Sequence, residues 1–227
     1  MRILLAALLI ATSLSAAEDL EKLRDRQDRA GLTQSATELT AVAEKSPNDA
    51  NLWYRAAIAQ SYVAEVAMET GDKSGSQKAA EEGSRDADKA IAINPNNADF
   101  YRVLGTLCGQ VIPANPIMGA LTYGRRAKDA LDKAVAMDPK SPRALIAHGV
   151  GYYYLPVNFG GGPDNAIRDF RQALAVDPKS AEAYLWIGIA ERKLKKNTEA
   201  REAFNKSLQL DPGRIWTKSM LDRTPPQ

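Results

Sequence analysis

The sequence predicts an all-α fold in which helical hairpins stack into a solenoid. Two observations indicate it: a proline closes each of five apolar segments with helical periodicity, and no useful length of chain alternates apolar and polar residues as a strand would. The five prolines are Pro47, Pro95, Pro139, Pro178 and Pro212. Proline ends a helix because it lacks an amide donor and pushes the preceding residue out of helical geometry.

A helix-capping residue stands two positions after each of the first four prolines. These residues are Asp49, Asn97, Ser141 and Ser180. Their side chains can accept hydrogen bonds from the free amides in the first turn of a helix. Each proline therefore predicts the end of one hairpin, and each capping residue predicts the start of the next.

The intervals between successive prolines shrink along the chain, from 48 to 44, 39 and 34 residues. The predicted repeats fill 48–212 and span 50–95, 98–139, 142–178 and 181–212. Because the positions on either side stay in register, the surplus residues of the earlier repeats are expected between the two helices of each hairpin. The predicted array is therefore taller along one edge.

The last repeat carries an aromatic residue, an Ile-Gly pair, an alanine, a phenylalanine and a proline in fixed order. They are Tyr184, Ile187, Gly188, Ala200, Phe204 and Pro212. With its period of 34 residues, this pattern resembles the tetratricopeptide repeat (TPR), and related patterns recur in the earlier repeats. The resemblance implies a right-handed superhelix whose inner, concave side is lined by the first helix of each repeat.

The chain on either side of the repeats is also accounted for. Residues 18–47 predict an N-terminal capping pair of helices, and residues 213–227 predict a C-terminal capping helix with a frayed tail. A basic start, a short apolar segment and the small residues Ser15-Ala16-Ala17 make residues 1–17 a predicted secretory signal peptide. The alternative is an uncleaved N-terminal anchor helix.

Cysteine usage bears on the expected compartment. No cysteine lies near the predicted cleavage point before Glu18, so a lipid anchor is not expected and the mature chain is expected to be periplasmic or secreted. Cys108 is the only cysteine, which excludes an intramolecular disulfide. Buried packing is favoured for it over reactivity.

Composition and motifs give no indication of catalysis. Lys and Arg number 30 against 28 Asp and Glu, so neither nucleic acid nor an anionic membrane surface is an expected partner. His148 is the only histidine, which makes a zinc or copper site improbable. Gly160-Gly161-Gly162 lacks the context of a nucleotide fingerprint. We therefore expect no catalytic residues, no metal, no cofactor and no enzyme activity.

The first helices of the repeats carry apolar and aromatic side chains at the positions that the TPR resemblance places on the concave side. The predicted groove residues are Tyr54, Ile58, Tyr62, Arg102, Ile146, Val150, Tyr153, Tyr154, Leu185 and Ile189. Such a lining suits an extended peptide, a partner helix or a small amphiphilic ligand. The alternative is that the insertions, residues 111–118 above all, fold over the groove and pack it.

Residues 152–169, YYYLPVNFGGGPDNAIRD, also resemble the helical-repeat T-component proteins of TRAP transporters, whose cavities are thought to receive small apolar ligands. Two functions thus remain open. The leading hypothesis is an exported binding module for protein–protein interaction or assembly in the cell envelope. The alternative is a transport-associated component that carries a small-molecule or lipid-like ligand in a closed inner cavity.

Overall fold

A computed structural model describes residues 20–226, and short connections join the helices that make up this part of the chain. No strand occurs between residues 20 and 226, so the predicted all-α class is confirmed. The expected signal peptide, residues 1–17, lies outside the described residues. The helices are α1 (20–25), α2 (Arg29–Lys45), α3 (Ala50–Glu69), α4 (Lys73–Ile93), α5 (Ala98–Val111), α6 (Pro116–Gly119), α7 (Arg125–Met137), α8 (Pro142–Tyr154), α9 (Pro163–Val176), α10 (Ala181–Lys193), α11 (Asn197–Leu210) and α12 (Ile215–Asp222).

Side-chain caps determine where the first helix of each repeat begins. Asp49, Asn97, Ser141 and Ser180 are the N-caps of α3, α5, α8 and α10. Each accepts a hydrogen bond from an amide two or three residues further on. These amides have no partner inside the helix, so each cap stabilises its helix by about 1 kcal/mol.

Glycine lets the two helices of a hairpin pack closely. A Cβ atom at Gly188 in α10 would lie 2.5 Å from the ring of Phe204 in α11, and one at Gly149 in α8 would lie 2.5 Å from Phe170 in α9. Both phenylalanines are fully buried. Each therefore packs inside its own repeat, against the glycine of the partner helix.

The surplus residues of the earlier repeats lie between the paired helices. The first repeat has the longest helices, α3 with 20 residues and α4 with 21. In the second repeat, three short elements separate α5 from α7: a 3-10 turn (Ile112–Ala114), α6 and a π-helical turn (Ala120–Gly124). A loop with a 3-10 turn at Val157–Phe159 follows α8, whereas α10 and α11 are joined by a short turn.

Two large clusters make up the core. The first is built on α2 to α5, where Leu32, Val66 and Leu107 are fully buried. The second is built on α8 to α12 and centres on Phe170 and Phe204. Cys108 belongs to the first cluster, and burial raises the pKa of its thiol to about 11, which suits a packing residue. No helix within residues 20–226 is both long and apolar enough to cross a membrane.

Candidate binding face

The first helices of the repeats form one continuous surface, which we call the inner face. It is made by α3, α5, α8 and α10, and each of these helices packs against the next. All ten predicted groove residues lie on these helices. The inner face is therefore the candidate binding site.

The ten residues differ widely in exposure. Ile146, Leu185 and Ile189 are buried, at 9%, 1% and 6% exposure, and belong to the second core cluster. These three side chains pack in the core between repeats, whereas the remaining groove residues stay a prediction. Tyr154 is 61% exposed, and the other six residues are half-buried.

A polar pair joins the first and second repeats on this face. Arg102 donates from Nη2 to the Tyr54 hydroxyl at 3.2 Å and from Nε to Asp99 at 2.7 Å. The ring of Tyr54 packs 5.0 Å from that of Phe100. Burial alone would lower the pKa of Arg102, but Tyr54 and Asp99 raise it above the ordinary value, so the side chain stays charged.

The inner face is occupied by residues 20–28 of the same chain, which we call the N-terminal segment. The hydroxyl of Tyr62 in α3 donates to Glu21 at 3.4 Å, and Glu21 pairs with Arg143 of α8 at 3.6 Å. The guanidinium of Arg24 lies 5.0 Å from the Tyr62 ring centroid, and Leu20 is only 5% exposed. The segment therefore reaches from the first repeat to the third.

Burial affects the protonation of Tyr62. It raises the pKa of this phenol to about 12, with the nearby Arg24 acting in the opposite direction. Tyr62 is therefore a neutral hydroxyl at physiological pH and can donate to Glu21.

A second contact ties the far end of the chain to the same place. Arg214, which precedes α12, is 2% exposed and donates from Nη2 to Glu65 at 2.6 Å and to Glu69, both on α3. Its Nη1 donates to the carbonyl of Arg24 at 3.2 Å, and its Nε lies 3.7 Å from Asp25. We call Arg214 with these partners the clasp. It joins residues up to 190 positions apart.

The clasp is a buried set of opposite charges. Burial raises the pKa of both Glu65 and Glu69. The positive charge of Arg214 opposes this rise at both carboxyls, and that of Arg24 also opposes it at Glu65. Gln27 also donates to Glu69 at 2.9 Å, although its φ of 54° is unusual for a residue other than glycine. Loss of one partner would leave an uncompensated buried charge.

Sequence reasoning missed the clasp. Arg214 and Glu69 are 145 residues apart, and no local pattern links them. The one available signal was the pair Glu65 and Glu69, four residues apart on the otherwise apolar second half of α3. Carboxylates on a core-facing helix need a cationic partner, although nothing local names which one.

The middle of the insertion after α5 is exposed, although Val111 at its start is buried in the first core cluster. Ile117 and Met118 are 75% and 56% exposed, and so is Leu121 at 75%. Apolar side chains that cover a groove would be buried against it. The N-terminal segment holds that place instead.

An aromatic cluster lies at the edge of the inner face. The ring centroids of Tyr153 and Tyr154 are 4.9 Å apart, those of Tyr153 and Trp186 are 5.9 Å apart, and those of Trp186 and Trp216 are 5.6 Å apart. The ammonium of Lys193 lies 4.3 Å from the Tyr153 ring centroid. Tyr154 is the most exposed of these rings and can contact a partner without rearrangement.

Two surface clefts lie away from the predicted groove residues. One, of about 530 Å³, is lined by residues 46–50 and Ile93, and the other, of about 420 Å³, lies between α9 and α10 beside Glu191. None of the ten groove residues lines either cleft. Tyr54 packs in a different core cluster from Tyr153 and Leu185.

His148 has a structural role. Its Nδ1 lies 2.6 Å from Asp169 of α9, and its Nε2 lies 3.1 Å from Asp132 of α7. Both ring nitrogens are thus taken by carboxylates that hold three helices together. Among residues 20–226, no group of three or more His, Cys, Asp or Glu side chains could hold a metal ion.

Stacked hairpins with capped first helices and glycine-phenylalanine crossings define the class: a TPR solenoid. Residues 160–215 match the family model described as tetratricopeptide repeat. Residues 15–157 match the model described as regulator of microtubule dynamics protein 1-3. The chain belongs to the regulator of microtubule dynamics protein 1-3 family.

Curated relatives agree with this membership. Regulator of microtubule dynamics protein 3 of Bos taurus is 26% identical over 175 residues, which are 70% of this chain and 36% of the relative. Small glutamine-rich tetratricopeptide repeat-containing protein 2 of Mycosarcoma maydis is 34% identical over 98 residues, 43% of this chain and 26% of the relative. The chain therefore spans only about a third or less of the length of these relatives.

Solved structures confirm the fold. A thermophilic TPR protein from Thermus thermophilus is similar with a TM-score of 0.59 at 17% identity, over 88% of this chain and 98% of that one. The HusA haemophore from Porphyromonas gingivalis has a TM-score of 0.57 at 19% identity, over 86% of this chain and 92% of that one. At these identities the likeness concerns the fold alone. The TPR fold supports a protein–protein interaction module and is typically a non-catalytic scaffold.

Proposed function

We propose that the protein is an exported binding module that holds a helical segment of a protein partner on its inner face, in the periplasm or outside the cell. One observation carries the proposal: the inner face already holds a helix, residues 20–25 of its own chain, through Tyr62 and Arg143. A surface that binds one amphipathic helix has the chemistry to bind another. Helix-in-groove recognition is a recurring mode of protein interaction.

The inner face offers three kinds of contact to such a helix. The first core cluster accepts leucines, as it does Leu20 and Leu23. Tyr62 and Arg143 serve an acidic side chain, and the charge of Glu65 attracts a basic one, as it does Arg24. The exposed ring of Tyr154 extends the surface at its edge.

The proposed export is compatible with this packing. Cleavage after Ala17 would leave Leu20, Leu23 and Arg24 in the mature chain, so the contacts of the N-terminal segment would be kept. Deletion of residues 2–17 should retain the protein in the cytoplasm, as cell fractionation with marker enzymes would show. An unchanged distribution between fractions would contradict export.

Partner capture tests the proposed binding role. A Tyr154→Ala variant should retain native partners about 10-fold less well, because truncation of an exposed aromatic anchor removes binding energy without touching the core. Val176→Ala, which changes an exposed residue at the end of α9, is the matched control and should capture normally. Circular dichroism should show equal helicity in both variants. Equal partner capture by both variants would show that Tyr154 is not part of the recognition surface.

A further inference from the structure

We infer that the N-terminal segment is an internal competitor for the inner face, and that the external partner is a short amphipathic helix with two leucines, an acid and a base at the same spacing. The inference rests on the proposed function, because it states what the face selects and how access to it is controlled. Three sets of contacts support it: those of the leucines, those of the charges, and those of the clasp.

The leucines define one side of the segment. Leu20 and Leu23 are three residues apart, so they lie on the same side of a helix. Both pack in the first core cluster, Leu20 at 5% exposure and Leu23 half-buried. An external helix needs the same pair of apolar anchors.

The charged residues of the inner face determine the order in which a bound helix must carry its acidic and basic side chains. Glu21 faces Tyr62 and Arg143, whereas Arg24 pairs with Asp25 of the segment at 2.7 Å and is attracted by the charge of Glu65 on α3. A helix that presented its acid and base in the opposite order would set like charges against each other on both sides. The face therefore selects an acid that precedes a base by three residues.

The clasp controls whether the segment can leave. Arg214 holds the segment through the carbonyl of Arg24 and the carboxylate of Asp25, and it is itself held by Glu65 and Glu69. Gln27, just after α1, has a left-handed backbone conformation, which is unfavourable for a residue other than glycine. Release of the segment would also relieve this backbone strain. Arg214 therefore stabilises the state in which the segment occupies the inner face.

A labelled peptide of residues 18–28, EDLEKLRDRQD, is the probe. It should bind the mature chain at least 10-fold more tightly when Leu23→Ser loosens the segment, because an occupied face lowers apparent affinity by the fraction that is open and the peptide keeps both of its own leucines. A second peptide, with Glu21 and Arg24 exchanged, should bind that variant at least 10-fold more weakly. Fluorescence anisotropy measures both affinities.

A second variant covers the case in which Leu23→Ser does not fold. Leu20→Ser also loosens the segment and leaves the clasp residues in place, and it should also tighten peptide binding. Arg126→Gln, which breaks a more exposed pair between α7 of the second repeat and Asp88 of the first, should leave binding as in the wild type.

Three outcomes would overturn the inference. The first is equal affinity for the peptide in the wild type and both opened variants. The second is equal affinity for the two peptides. The third is a Leu23→Ser dimer that the peptide dissociates, since the occupant would then be a second copy of the chain.

The inference and the proposed function can fail separately. Peptide binding by the opened variants without capture of any native partner would refute the proposed function and leave the selectivity of the face standing. Partner capture that depends on Tyr154, with no response of peptide affinity to the two leucine variants, would keep the proposed function and refute the inference.

Discussion

Single glycines decide how closely the paired helices of this protein approach. Gly105, Gly149 and Gly188 occupy corresponding positions on α5, α8 and α10. At each, an added Cβ would lie 2.6 Å or less from a large side chain of the second helix, a leucine in one repeat and a phenylalanine in the other two. The hairpins therefore tolerate no side chain there without separating.

A bulky residue at this position should destabilise the last repeat. Gly188→Leu would force the ring of Phe204 out of its place, and overpacking of this kind costs about 1–3 kcal/mol. Thermal unfolding followed by circular dichroism would measure the loss.

The same substitution at another helical glycine provides the control. A Cβ at Gly109 in α5 would meet nothing within 4 Å, so Gly109→Leu should not lower the free energy of unfolding and should raise it by up to about 1 kcal/mol through the better helix propensity of leucine. An unchanged melting temperature for Gly188→Leu would show that the register of the last repeat is wrong.

The first helix of each repeat is stabilised by a capping side chain at its N-terminus. Asn97 accepts from the amide of Asp99 at 3.0 Å and begins α5. Asn97→Ala should therefore lower the free energy of unfolding by about 1 kcal/mol. Asn96→Ala, one position earlier and outside the cap, should cost less than about 0.5 kcal/mol in chemical denaturation, and an equal loss in both would argue against the cap.

Three helices meet at His148, and their cohesion depends on pH. Burial alone would lower its pKa, but the hydrogen bonds and charges of Asp169 and Asp132 outweigh burial and raise the pKa above the ordinary 6.5. Because the folded-state pKa exceeds the unfolded one, the stabilisation is complete below about pH 6.5 and is lost as pH rises through the folded-state pKa.

The wild type should accordingly lose stability relative to His148→Gln as the pH rises. Chemical denaturation of both proteins from about pH 5 to about pH 9 gives the difference in free energy of unfolding at each pH. The difference should shrink with rising pH. A difference that stays constant would show that His148 does not titrate against these carboxylates.

Across the whole molecule, the clasp joins the last helix to the first hairpin. Arg214→Gln leaves Glu65 and Glu69 without their main cation, and breaking a buried ion pair in this way costs roughly 3–5 kcal/mol. Arg126→Gln removes an arginine from a largely exposed pair and should cost no more than about 1 kcal/mol. Equal losses in thermal unfolding would show that the clasp does not hold the ends together.

Local features of this fold could be predicted from the sequence, and distant ones could not. Asp49 and Ser180 were predictable as caps because a cap and its amide lie within three residues. The close packing at Gly188 followed from the repeat pattern. Arg214 was not predictable, because its partners are about 145 to 190 residues away and an isolated arginine has no periodicity. The occupied inner face depends on that same distant contact.

Most solenoids can lengthen by duplication, since each unit touches only its neighbours. The clasp removes that freedom from this chain. An extra hairpin inserted between α11 and α12 would carry Arg214 away from Glu65 and Glu69 and strand two carboxylates in the interior. Insertions between paired helices leave these contacts in place, whereas an added repeat would break them.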